Sequence, residues 1–326
     1  MMEPQDNNIH KEKREFQLYE HPWLSLLAVI ATSIISMFLS AVLIFRLGGL
    51  NPDSPSGNFA SAITSHILTA FIFVPLFLRL PKGKRTFREY LADIGLSRIR
   101  PFVRLLTLAL SCSVILALSQ AAASFVYRLL ERQPISAWFV RQVFDLSGAI
   151  SPEAPELLAA FPSAFEELVF RGILLTVFLS KYSERKSIIF SSLGFGLIHL
   201  LNLSNGRELV WVMGQVVWAF TIGLFYGYVF VRTRSLLPSM IVHYLGNVMV
   251  GLLAGYMQSR ASVEIQVLYG VILSFGILPT TLMILWTRFF ISRWLPAAAH
   301  ERSDVEAISG GSPILSQRTK VKGSHP

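Results

Sequence analysis

The chain has 326 residues, 52% hydrophobic and 15% charged, with a mean hydropathy of +0.52 and a formal net charge of +9. Soluble domains carry about 25% charged residues, so this balance argues against a soluble globular protein. The hydrophobicity argues against a disordered one. A single cysteine, Cys112, rules out a disulfide framework within the chain.

In chain order, a polar leader of residues 1–22 precedes eight apolar runs, at 23–45, 60–78, 105–127, 157–179, 187–203, 209–231, 236–256 and 266–291. Each is long enough to cross a hydrocarbon core of about 30 Å as a helix. The fifth run is the shortest and carries His199 and Asn202, so hydropathy ranks it last. The first is longer than a signal-peptide core and reads as a retained anchor. Between runs two and three, residues 81–101 place Phe87, Tyr90, Leu91, Ile94 and Leu96 among basic residues, which suits a short interfacial helix. Residues 296–326 are rich in Ser, Gly and Lys, and the expectation there is a disordered tail. The sequence has no internal repeat, phosphate-binding glycine loop, CxxC, HExxH or GxSxG.

The positive charges set an orientation. With eight spans, 22 of the 29 Lys and Arg residues fall on one side, six on the other, and Arg171 lies within the fourth run. Cytoplasmic segments retain positive charge. The expectation is therefore an all-α, polytopic membrane helix bundle of about eight spans with both termini cytoplasmic, in the plasma (inner) membrane if the source is prokaryotic. The bilayer, and not a nucleic acid, accounts for the basic segments.

Function is carried by polar residues inside the runs. The fourth, LLAAFPSAFEELVFRGILLTVFL, holds Glu166, Glu167 and Arg171. Three charges at helix-centre depth cost roughly 8–10 kcal/mol before pairing, so they do not decorate a lipid face. Glu167 and Arg171 are four apart, with the acid N-terminal, and stack as a pair. Glu166 is turned about 100° away and keeps a carboxylate free for general-base work. The fifth run carries Phe195 and His199 one turn apart, and the seventh carries His243 and Asn247 on one face. Together they would line a shared polar chamber. His66, in the second run, has no such company in the sequence and reads as packing or a minor lining residue.

The ordered elements EELVFR, FGLIH and HYLGN resemble the EExxxR, FxxxH and HxxxN/D motifs of the CAAX prenyl endopeptidase and bacteriocin-processing family, also called CPBP or Abi intramembrane proteases. The preceding FREYLADIGLSRIRP is similar to a juxtamembrane segment of that family. The resemblance implies that Glu166 activates water and that Glu167 with Arg171 is its orienting pair. It further implies that His199 acts with Glu166 on the water or binds a metal, and that His243 and Asn247 hold the oxyanion or complete a metal site. It places the family's catalytic core at 151–260, after N-terminal spans at 23–150 and before a last span at 261–295. A Zn²⁺ ion is left open: His₂Glu plus water is a known zinc pattern, but a liganding Glu166 cannot also be the free base. The implied substrate is a membrane-associated polypeptide, a prenylated CAAX-type or a bacteriocin-like one. Two other classes fit the same polar residues. A proton-coupled carrier would predict inverted repeats, which are not seen, and a non-catalytic immunity or assembly factor would use the trio for packing alone.

Overall fold

The computed structural model describes residues 18–74, 87–130, 132–144, 162–257 and 276–295. The tail at 296–326 and most of the N-terminal leader lie outside them. Among the described residues every regular element is helical, as expected for a backbone that must satisfy its own polar groups in lipid.

The elements are α1 (Pro22–Ala41, continued by a π-helical turn Val42–Leu47), α2 (Pro55–Ile67, continued by a π-helical turn Leu68–Phe73), and the short α3 (Phe87–Asp93). Then come α4 (Phe102–Leu130) and α5 (Ala137–Phe144). The next helix, α6, is continuous but built in three pieces: Ser163–Glu167, a π-helical turn Leu168–Leu174, and Leu175–Leu179. It is followed by α7 (Glu184–Ile198, tightening to a 3₁₀ turn His199–Asn205), α8 (Leu209–Thr233), α9 (Leu237–Met257) and α10 (Ile277–Trp294).

Each of the eight apolar runs contains a described helix. Among the described residues four helices are long and apolar enough to cross a membrane: Pro22–Leu47, Phe102–Val126, Glu184–Ser204 and Leu209–Thr233. The third of these contains the run that hydropathy ranks last. Its polar Asn202 is neutralised by packing, because Asn202 Nδ2 donates to Gln215 Oε1 on α8 at 2.7 Å. Helix α4 shows how such a span is patterned. Leu110, Val114 and Leu118 are exposed at a spacing of four, while Leu108, Cys112 and Leu116 are buried at the same spacing on the other face. Both faces are apolar, one against protein and one available to lipid.

The bundle is organised around α6. Helix α7 lies along α8, α9 packs on α4 and on the first piece of α6, and α10 packs against α8 and α4. Gly196 permits the α7–α8 approach, since a Cβ there would stand 2.8 Å from the Val216 carbonyl oxygen. The interfacial segment is more deeply seated than its charge suggests. Ile94 is buried, and the Leu236 N–H donates to the Gly95 carbonyl at 3.1 Å. Gly95 adopts φ +77, and a Cβ there would meet Phe230 at 2.6 Å, so only glycine fits that turn. The segment packs against the middle of α6, where a Cβ on Gly172 would stand 2.9 Å from the Ile94 carbonyl oxygen.

Candidate active site

The acid pair stands just before the π-helical turn of α6. In that turn the Leu175 N–H reaches back five residues to the Phe170 carbonyl. The wide turn exposes carbonyls that neighbours satisfy: Ser191 Oγ on α7 donates to Phe170 O at 2.7 Å, and Thr176 Oγ1 donates to Gly172 O at 2.6 Å. Turns of this kind recur at functional sites because they re-aim side chains within an otherwise regular helix.

Glu167 and Arg171 are both fully buried, at 0% exposure, and Arg171 Nη1 donates to Glu167 Oε1 at 2.9 Å. The same carboxylate oxygen accepts from His243 Nδ1 on α9, also at 2.9 Å. Glu167 therefore joins the cation of its own helix to the imidazole of another. The Arg171 guanidinium is sandwiched, with its carbon 4.1 Å from the Phe195 ring centroid and 5.0 Å from that of Tyr226. Gly223 on α8 makes room for it: a Cβ there would stand 3.0 Å from Nη2. These cation–π contacts replace part of the hydration the guanidinium has lost.

Glu166 differs from its neighbour in exposure. Its side chain retains 26% accessibility, with Oε2 3.6 Å from His243 Nε2. The His243 ring thus stands between two consecutive carboxylates, one nitrogen towards each. It is held there by stacking on Tyr226 (centroids 4.9 Å apart, planes 23°) and by an edge-on contact with Phe195 at 5.6 Å. A carboxylate can only accept, so Nδ1 carries the hydrogen bonded to Glu167, while Nε2 faces Glu166.

His199 sits where α7 tightens into its 3₁₀ turn. Its Nδ1 donates to the Phe195 carbonyl at 2.8 Å, its ring meets Phe195 edge-on at 5.1 Å, and it is close enough to Glu166 and His243 to interact with both electrostatically. Asn247 lies one turn beyond His243 on α9 and is half-buried. Glu166, Glu167, Arg171, His199 and His243 are thus brought together, with Asn247 at the next turn. Sequence reasoning missed Tyr226, whose ring supports both Arg171 and His243, and underrated His66, whose Nε2 lies 3.6 Å from Glu166 Oε1. Phe195 was flagged only as a spacing partner of His199, yet its ring touches Arg171, His199 and His243.

Among the described residues no three His, Cys, Asp or Glu side chains converge on a point where an ion could sit, and the donor set does not fit a zinc centre.

Residues 156–249 match the family model described as type II CAAX prenyl endopeptidase Rce1-like. The match supports assignment to the family that the three motifs resemble. No curated protein and no solved structure matches the chain.

Proposed function

We propose that this integral membrane protein, which carries an Rce1-like domain at residues 156–249, is an intramembrane endopeptidase that hydrolyses a peptide bond with water activated at Glu166. The observation that carries the reading is the contrast within one acid pair. Glu167 is sealed in a hydrogen-bonded ion pair, whereas Glu166, one residue away, is partly accessible and faces an imidazole whose orientation is fixed. A carboxylate of that kind can hold a water and take its proton.

In the proposed reaction Glu166 removes a proton from water as the oxygen bonds to the scissile carbonyl carbon. The charge that develops on the carbonyl oxygen is met by the Asn247 amide and by His243 with a hydrogen on both ring nitrogens, Nδ1–H held by Glu167 and Nε2–H turned to the oxyanion, and Glu166 then delivers its proton to the amine nitrogen as the C–N bond breaks. His199, with Nδ1 tied to a carbonyl, has Nε2 to accept the water's second hydrogen. Glu167 and Arg171 fix the His243 ring. Loss of one oxyanion donor costs about 10²–10³ in rate, so His243 carries a large share of the chemistry.

The eight-span topology with cytoplasmic termini belongs to the same proposal. His243 lies seven residues past Leu236, where the seventh apolar run starts after the basic Arg232/Arg234 loop, a depth of about 10 Å at 1.5 Å per residue. A chamber at that depth opens to the cytoplasm or the cytoplasmic leaflet. The substrate is then a membrane-associated or lipid-anchored polypeptide, of the prenylated CAAX or bacteriocin type, cut near that surface. The test is cleavage of an internally quenched farnesylated peptide by purified protein in proteoliposomes, with Glu166→Gln beside the wild type. The reading expects Glu166→Gln to fold normally and to lose about 10²–10⁴ in rate. Undiminished cleavage by that variant would overturn it.

A further inference from the structure

The second helix lies outside the 156–249 segment, yet it sends one polar side chain to the acid pair. His66 is held at both ends of its ring. Its Nδ1 donates to the Ala62 carbonyl one turn earlier at 2.7 Å, and the ring packs on Phe165, the residue before Glu166, with centroids 6.1 Å apart. A carbonyl oxygen only accepts, so Nδ1 carries a hydrogen and Nε2 is the nitrogen presented to Glu166 Oε1, 3.6 Å away. Among the described residues the groups within ion-pair distance of Glu166 are His66 at Oε1 and His243 at Oε2. The carboxylate is flanked by imidazoles from two helices, one per oxygen.

We propose that His66, as the imidazolium with a hydrogen on each ring nitrogen, is a positioning residue for Glu166, its Nε2–H directed at Oε1 and so fixing the plane in which the carboxylate meets water. The inference rests on the proteolytic reading of the same site. A lone pair on Nε2 would repel the carboxylate oxygen; the contact is attractive when one hydrogen lies between them. A carboxylate on a flexible stem that must accept a proton along one direction gains from such a brace, because displacement of a catalytic group by about 1 Å costs on the order of 10²-fold in rate. Helices α1 and α2, which pack on each other and on α6, thereby supply part of the site itself. The sequence could not signal this, since His66 stands a hundred residues before Glu166 with no fixed spacing.

The experiment compares His66→Phe, which keeps an aromatic ring against Phe165, with His66→Gln, whose Nε2 amide can still donate. Both are measured with the farnesylated peptide and, independently of turnover, by infrared difference spectroscopy. The Glu166 carboxylate band is identified as the one that Glu166→Gln removes. His66→Phe should lower kcat about tenfold to a hundredfold, the range for losing a hydrogen bond to a charged group, with KM within about twofold and a displaced carboxylate band. His66→Gln should recover most of both. Wild-type kcat and an unmoved band in His66→Phe would overturn the brace while leaving proteolysis intact. Full cleavage by Glu166→Gln would instead overturn Glu166 as the base that activates water, and the band would still decide whether His66 holds the carboxylate. Should His66→Phe not accumulate, His66→Ala against His66→Gln makes the same comparison.

Discussion

Replacing Glu167 with alanine removes the carboxylate that holds Arg171 and His243 at once. Arg171 is fully buried, and among the described residues its Nε and Nη2 have no hydrogen-bond partner, so Glu167 is its principal compensation. The flanking rings of Phe195 and Tyr226 remain, but they already contribute in the wild type and offer nothing new to offset the loss. A buried charge stranded in this way costs about 3–5 kcal/mol. In a domain of 150–250 residues that corresponds to a fall of about 10 °C in Tm. The assay is thermal unfolding of detergent-purified protein, extended to Glu167→Leu, Arg171→Met and their combination as a double-mutant cycle. The pair should recover most of the stability, since apolar replacement of a buried ion pair is often neutral or better. It should stay inactive, because His243 Nδ1 still lacks its acceptor. If Glu167→Ala unfolds within about 1 kcal/mol of the wild type, or if the cycle shows no coupling, the ion pair is not the lock described and the reasoning fails.

Gly223→Ala tests the tightness of the Arg171 pocket: its Cβ would stand 3.0 Å from Nη2 and 3.2 Å from the Ser192 Cβ. Overpacking of that order should cost about 1–3 kcal/mol and reduce cleavage; a variant as stable and active as the wild type would show that the guanidinium has room to move. Topology is read by reporter fusions, which should be external after Phe45, Tyr127, Leu203 and Tyr256 and cytoplasmic after Leu78, Leu179, Val231 and Ile291. A cytoplasmic reading between Arg128 and Ser151 would contradict the eight-span arrangement.

Much of the site was legible because its motifs are local. Glu167 and Arg171 lie one turn apart, as do His243 and Asn247, and charges at that depth in apolar runs require a partner whatever the fold. What the sequence withheld is tertiary. Nothing in residues 60–78 indicates that His66 meets Glu166, and Tyr226 looks like one more aromatic in an apolar helix until its ring is found between Arg171 and His243. The spacing also led to a picture of Glu166 and Glu167 diverging by about 100°, each with separate company. In the structure the two nitrogens of His243 reach both, because one imidazole is wide enough to span that divergence. The π-helical turn was equally invisible, since Leu168–Leu174 contains residues that an α-helix accepts as readily.

That turn makes the spacing of α6 a matter of phase. A helix that takes in one additional residue over Leu168–Leu174 sets everything before it out of step with everything after it by about 100°. The acids lie on one side of the discontinuity and the apolar anchor Leu175–Leu179 on the other. Removing a single residue such as Val169 would let the turn close into a plain α-helix of nearly unchanged hydrophobicity. The anchor would hold its seat, and the carboxylates would swing away from His243 like a dial turned through a quarter of its circle. Point substitutions in this stretch change what a side chain is; a one-residue gap changes where the two acids point, and no compensating side chain can reset it.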